Sequence, residues 1–441
     1  MFSTAFPLTL KTIFGLLYSF IFTVMSVFSS PQAGYTEEMP TTPEDFTPAI
    51  RFVVCTDSHN NNDNVVDMIN TCYKIYGDDG IDLFAHCGDF TEIGTDGEMQ
   101  RFYDAFTAAV DGKAETLVIL GNHDLKTGDF SLKDGYDAHE RYCELFGTES
   151  SNLHKVVKGF HFIGLPSYTK SAIQLAAPSD IIWAKQQLKA AEADSDNLPV
   201  FTFSHPHNRA TVYGSVIWGT EAYSSVWSGH SRVVSFSGHS HFPIEDPRSI
   251  WQGSYTSIGA GAMERFELEQ DLIWGRHPDG YEDAAEFLVV EADRNGAVKV
   301  DAYDLNTDTF FLSYFIEDVN DPSTFAYTYK NRVKYDDAPV WNEDTDVSYE
   351  INENGEMLLT FDKASDKLAV HDYKVVVKNH LGFDVCRKTF LSDYFLQGTS
   401  DKITLNLGEL KLKDGKDFTV KITAVNCYYE LSKPLKVEFT K

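Results

Sequence analysis

The chain is poor in cysteine, with six in 441 residues: Cys55, Cys72, Cys87, Cys143, Cys386 and Cys427. That density excludes a small fold stapled by disulfides. Cys55 and Cys87 end apolar strand patterns and read as buried thiols, whereas Cys386 and Cys427 share the last domain and form a candidate pair. Basic residues are scarce as well, 37 Lys and Arg against 66 Asp and Glu, for a formal net charge of -29. A surface of that sign repels polyanions, so long nucleic acid and anionic membranes make poor partners. Low-complexity tracts and solenoid-period repeats are lacking, which excludes fibrous and repeat architectures. Apolar material is plentiful: 43% of residues are hydrophobic and 14% aromatic, enough for a substantial core and too much for a disordered chain. The length calls for about two or three domains.

The first 33 residues read as an export segment. Lys11 precedes an apolar run from Thr12 to Phe28, and Ser29, Ser30 and Ala33 supply a small-residue exit. The run suits either a cleaved signal peptide or an uncleaved anchor; both place the remainder outside the cytoplasm, secreted or at the cell surface. No Cys closely follows it, which argues against a lipid-anchored mature N-terminus. Membrane association is expected only if the segment stays uncleaved. Residues 34–48, acidic and Pro-rich, form a linker.

From Ala49, apolar strand patterns alternate with amphipathic helical ones. Strands are expected at Ile50–Cys55, Ile81–Cys87, Thr116–Leu120, Phe160–Leu165, Val200–Ser204, Val233–Ser237 and Tyr255–Ala260. Helices are expected at Val65–Tyr76, Glu98–Val110 and Ile181–Ala191. Alternation of this kind implies parallel pairing with crossovers packed on the sheet. Asp293-Arg294-Asn295-Gly296 marks a hairpin between Phe287–Ala292 and Ala297–Tyr303, and Thr309–Ile316 closes this α/β unit, 49–335. Past the linker-like Asp336-Asp337-Ala338-Pro339 the helical pattern vanishes. Seven short alternating runs between Val347 and Phe439 predict a small all-β sandwich over 340–441.

Five clusters fall just after strands: Asp57-Ser58-His59, Gly88-Asp89, Gly121-Asn122-His123-Asp124, Ser204-His205-Pro206-His207 and Gly238-His239-Ser240-His241. Loops at the carboxyl ends of parallel strands converge on ligands while the sheet holds them rigid. The glycines before Asp89, Asn122 and His239 let backbone turn and approach closely. Carboxylates, an amide oxygen and several imidazoles favour Mn, Fe or Zn over Mg or Ca. A carboxylate shared by two such ions permits two-metal hydrolysis, in which a bound water is activated near neutral pH. Each cluster alone is a weak signal; their order and placement together are not. His205 and His207 compete for one role, and His205 is preferred because it comes first after the apolar run. Arg209 is a candidate phosphate contact, and 60–64, rich in Asn, is a candidate cleft lining.

Over residues 49–316 these clusters resemble the calcineurin-like metallophosphoesterases. The resemblance implies a four-layer fold, a two-sheet sandwich flanked by helices, and a pair of divalent transition-metal ions. It implies that Asp57, His59 and His241 hold one ion, that Asn122, His205 and His239 hold the other, and that Asp89 bridges them. His123 becomes the acid that protonates the leaving oxygen or binds phosphate, with Asp124 orienting it. Glu92 occupies the place of a purple acid phosphatase tyrosine, so that branch is disfavoured. Gly88-Asp89-Phe90-Thr91 followed by Gly94 is closer to the cyclic-nucleotide and glycerophosphodiester branch. Residues 417–435 resemble the last strands of a fibronectin type III domain. The expectation is an exported phosphoesterase cleaving a small phosphodiester by metal-activated hydroxide. A phosphomonoesterase or nucleotidase of the same fold is the alternative; a non-catalytic surface binding protein is the rival of another class.

Overall fold

A computed structural model describes residues 39–126, 136–171, 174, 176–195, 197–270, 273–335, 337–410 and 412–440. Residues 1–33, expected to be an export segment, and 34–38 of the expected linker lie outside the described residues, as does Asp336. The chain divides into two compact units. One runs up to residue 244 and adds 248–268 and 281–331; the other comprises 245–247, 269–280 and 332–441.

In the first unit, β1 (Ile50–Cys55), β2 (Leu83–His86) and β3 (Glu115–Val118) pair in parallel through the crossover helices Asn62–Tyr76 and Asp96–Val110. Antiparallel β14 (Glu286–Ala292), β15 (Val298–Asp304) and β16 (Thr309–Ile316) complete one sheet in the order β16-β15-β14-β1-β2-β3. The second sheet contains β4 (Leu153–Val157), β5 (Phe160–Leu165), β6 (Val200–Ser204), β9 (Val233–Ser237), β10 (Ile250–Gln252) and β11 (Thr256–Gly259), ordered β10-β11-β9-β6-β5-β4. A minor ladder joins β7 (His207–Asn208) to β8 (Gly219–Thr220); another, of β12 (Leu268–Gln270) and β13 (Ile273–Arg276), falls almost wholly in the second unit.

The residues of β1 explain the layering. Successive side chains of a strand point to opposite faces. Phe52 and Val54 therefore enter the core between the sheets, while Val53 and Cys55 face the helices. Phe52 meets Phe162, Phe201 and Phe236 edge-on, at 5.1, 4.6 and 5.9 Å between centroids. On the outer face of the first sheet, Phe84 packs with Met68, Phe102 and Phe106; on that of the second, Ile163 packs with Leu188 and Trp227. The result is helix, sheet, sheet, helix, the mixed α/β architecture expected. With both faces buried, a strand needs a continuous apolar run, which is why β1, β5, β6 and β9 are legible in the sequence.

The second unit is all-β. One sheet orders β17 (Val347–Ile351), β18 (Glu356–Asp362) and β21 (Lys402–Glu409) as β17-β18-β21. The other orders β19 (Val370–Asn379), β20 (Asp384–Leu391), β22 (Asp417–Asn426) and β23 (Leu435–Thr440) as β20-β19-β22-β23. Leu359, Phe361, Tyr373, Val375, Val420 and Ile422 are buried in its core. All six cysteines are free thiols, so Cys386 and Cys427 do not form the disulfide considered from sequence. Cys55, Cys72 and Cys87 are buried, and burial pushes their thiols well above the usual range.

Candidate metal centre

The five clusters meet at the carboxyl ends of β1, β2 and β3 in one sheet and of β6 and β9 in the other. Their loops are laced by backbone hydrogen bonds: Asp57 N donates to Gly88 O at 3.0 Å, His59 N to Asp89 O at 3.0 Å, and Gly238 N to His205 O at 3.0 Å. Asp57, His59, Asp89, His239 and His241 all have positive φ, between 41° and 75°. L-residues avoid this region, and its concentration here marks strain held by the surrounding structure. Two glycines permit the close approach. A Cβ on Gly121 would collide with Asp89 Oδ1, and one on Gly238 would collide with Thr56 Oγ1.

Three groups of ligand atoms result. Asp57, His59 and His241 form one group and Asp89, His205 and His239 a second, while His59, Glu92 and His123 form a third at the rim. In the first, His59 Nε2 and His241 Nε2 are 3.1 Å apart, and Asp57 Oδ1 lies 3.7 and 3.3 Å from them. In the second, His205 Nε2 is 3.1 Å from each of Asp89 Oδ2, Asn122 Oδ1 and His239 Nδ1. Asp89 Oδ2 is also 3.9 Å from His59 Nε2, so this oxygen lies between the groups. All seven side chains of these first two groups, Asn122 included, are buried.

Outer hydrogen bonds decide which ring nitrogens face inward. His205 Nδ1 donates to Cys87 O at 2.9 Å, and His241 Nδ1 to Arg265 O at 2.9 Å. His59 Nδ1 lies 2.9 Å from the Glu92 carboxylate. Each of these rings therefore turns its Nε2 inward. Asp57 Oδ1, buried, accepts no hydrogen bond. Lone pairs and carboxylate oxygens converging at about 3 Å repel one another unless a positive charge lies among them. The donor set fits divalent transition-metal ions.

The local electrostatics agree. Burial opposes charge on His205, yet the carboxylates of Asp89 and Asp57 outweigh it and raise this imidazole to about 9. His59 is likewise raised to about 9: burial is overcome by its bonds to Asp57 and Glu92. Asp57 and Asp89 stay ionised despite burial, held well below the usual carboxylate range by the surrounding imidazoles.

Other sequence expectations fare differently. Asp124 does not orient the His123 ring. Its carboxylate accepts from Asp89 N (2.9 Å), Thr91 N (2.9 Å), Thr91 Oγ1 (2.7 Å) and Gly121 N (2.7 Å), which clamps two loops together. Burial and the charge of Asp89 push it up to about 7 against those donors. His123 Nδ1 instead donates to Glu92 O at 2.7 Å, and its backbone N–H donates to Asp89 Oδ1 at 2.7 Å. Burial lowers this ring to about 4. His207 does not face the centre; Ser237 and Ser240 occupy its two nitrogens at 2.8 and 2.7 Å. Arg209 donates to Val216 O and Gly219 O, bracing a loop. Asn60, Asn61 and Asn64 also act structurally, bonding Glu98, the start of the first helix and Met263 O.

Several residues around the centre do not stand out in the sequence as parts of it. Lys126 Nζ lies 2.8 Å from His123 Nε2. Arg265 Nη1 lies 3.5 Å from Glu92 Oε2, and Trp218 meets the His239 ring edge-on at 5.5 Å. Glu92 itself stands out only for not being tyrosine. Lys126 lies two residues beyond one of the five clusters, and a cation there is a readable signal; Arg265 and Trp218 lie in segments without pattern.

Comparison with known proteins agrees with the geometry. Residues 50–243 match the family model described as calcineurin-like phosphoesterase. No curated protein matches. Among solved structures, the chain is similar to an inner-membrane-complex anchor of Plasmodium, with 12% identity, TM-score 0.43, and coverage of 66% of this chain and 94% of that one. It is similar also to a purple acid phosphatase from yellow lupin, Lupinus luteus, with 14% identity, TM-score 0.41, and coverage of 69% and 56%. A Thermus thermophilus protein shows 10% identity, TM-score 0.34, and coverage of 62% and 100%. Residues 50–243, which contain all seven ligand side chains, are thus similar to the calcineurin-like phosphoesterases.

Proposed function

We propose that the protein is an exported, two-ion hydrolase of a small phosphodiester. The observation carrying this reading is the pair of buried ligand groups that share Asp89, with an unsatisfied Asp57 Oδ1 in one of them. Asp57, His59 and His241 hold the first ion; Asn122, His205 and His239 hold the second; Asp89 serves both. Bound there, Mn, Fe or Zn ions supply an activated water and polarise phosphoryl oxygens. The protein's part is to fix the ligand atoms, exclude bulk water from seven buried side chains, and manage the proton of the leaving oxygen. His123 performs that last task at the rim, where the Lys126 ammonium, a source of the proton, lies 2.6 and 2.8 Å from its two ring nitrogens.

The export segment, the acidic surface and a small substrate fit together, since long polyanions are repelled. Strand orders β17-β18-β21 and β20-β19-β22-β23 support the fibronectin type III resemblance of the second unit, as a spacer or binding module. Lys126 and Arg265 favour one second reading: two cations beside the centre suit the extra charge of a phosphomonoester.

The test is turnover of bis-p-nitrophenyl phosphate and p-nitrophenyl phosphate by protein stripped of metal and refilled with Mn²⁺ or Zn²⁺, beside Asp89→Asn. Metal-dependent cleavage of the diester, lost in the variant, is expected. Cleavage of the monoester alone selects the second reading. No cleavage by folded, metal-loaded protein overturns both.

A further inference from the structure

Glu92 touches more of the centre than any role described so far requires. Its carboxylate lies 2.9 Å from His59 Nδ1, at ion-pair distance, and 3.5 Å from Arg265 Nη1. Its backbone oxygen accepts from His123 Nδ1 at 2.7 Å. Arg265, in turn, gives its backbone oxygen to His241 Nδ1 at 2.9 Å. Two neighbouring residues therefore orient three imidazoles: both rings of the first ligand group, and the rim histidine.

The second group is supported differently. His205 is fixed by the carbonyl of Cys87, a buried backbone atom that no substitution removes. Glu92 is a side chain that remains 42% exposed, reached by water and open to change. An imidazole whose outer N–H loses its acceptor rotates freely and can present the wrong tautomer, and such losses typically weaken metal affinity about 10–100-fold.

We infer that Glu92 is the positioning residue of the first ion's site, setting that ion's affinity independently of the second through His59, with Arg265 holding the carboxylate in place. The inference rests on the two-ion reading above. Because Asp89 and the Cys87-anchored His205 are untouched, removal of the Glu92 carboxylate lowers one affinity and spares the other. Gln at this position keeps an oxygen acceptor for His59 Nδ1 and restores the site; Asp keeps the charge but falls one methylene short of the ring.

The experiment uses the full chain, stripped by chelator and titrated with Mn²⁺ in equilibrium dialysis, with thermal midpoints recorded for the metal-free proteins. Wild type should bind two ions. Glu92→Ala and Glu92→Asp should lose about 10–100-fold in affinity for one ion only, with metal-free midpoints unchanged, and Glu92→Gln should stay close to wild type. If Glu92→Ala does not fold, Glu92→Asp carries the same expectation. Unchanged affinities in the folded variants, or equal weakening of both ions, overturns the inference and leaves the two-ion reading standing. A wild-type protein that binds fewer than two ions overturns the reading itself.

Discussion

The two ligand groups of the centre use similar atoms but rest on different foundations. In the group of His205, His239 and Asn122, a buried backbone carbonyl fixes the tautomer of His205. The group of Asp57, His59 and His241 leans partly on Glu92, a half-buried carboxylate among charged neighbours. Backbone support is insensitive to substitution and to salt. Support from a charged side chain is neither. A centre with two ligand groups supported this way has one permanent half and one adjustable half.

The hardest blow to that asymmetry is a change at the atom both halves share. Asp89→Asn should weaken both ions together and cut phosphoester turnover on the order of 10³-fold, as losses of transition-state charge stabilisation do. Paired metal counts and rates check this, and loss of only one ion would show that Asp89 serves one half alone. His123 belongs to neither group. His123→Ala should lower kcat by about 10²-fold, the lower end for lost proton transfer, while the metal count stays at two. A parallel fall in metal content would place it among the ligands instead.

Much of this is written in the sequence. The strands whose both faces are buried, β1, β5, β6 and β9, announce themselves as apolar runs, and the five clusters contain the owners of all seven ligand atoms. Edge strand β4 (Leu-His-Lys-Val-Val) and the helix Tyr136–Phe146 escape a sequence reading, because half-exposed elements carry mixed side chains and weak periodicity. The role of Asp124 is misleading in the sequence because a carboxylate beside a histidine suggests a bond between them. In the fold the side chain turns instead toward four donors of its own and the Asp89 loop. Glu92 and Arg265, 173 positions apart by their numbers, meet only in three dimensions.

Two buried histidines outside both ligand groups set an acid limit. Burial lowers His86 and His207 to about 3, from the ordinary imidazole value of 6.5. Between those values the unfolded chain binds more protons, so their contribution is complete above 6.5 and falls as pH drops toward 3. From pH 7 to 5 each group should remove roughly 1–2 kcal/mol. Urea titrations of metal-free protein should show His207→Gln with a flatter pH slope than wild type; equal slopes would mean the ring is protonated while folded. The smallest effect belongs to the rim. Lys126→Ala should raise KM for p-nitrophenyl phosphate by about tenfold, near 1.4 kcal/mol, and leave bis-p-nitrophenyl phosphate less affected. Equal changes for both would remove the argument for a monoester.

The clamp made by Asp124 has a consequence for timing. Its carboxylate ties the loop of Asp89 and Thr91 to that of Gly121 through donors that need no ion. The entropy of ordering these loops is therefore surrendered as the chain folds, not when an ion arrives. Amide hydrogens of Asp89, Thr91 and Gly121 should exchange with solvent as slowly as those of neighbouring strands even in chelator, although all three lie in loops. The cradle is set before its occupants come, so what an ion meets on arrival is a finished shape.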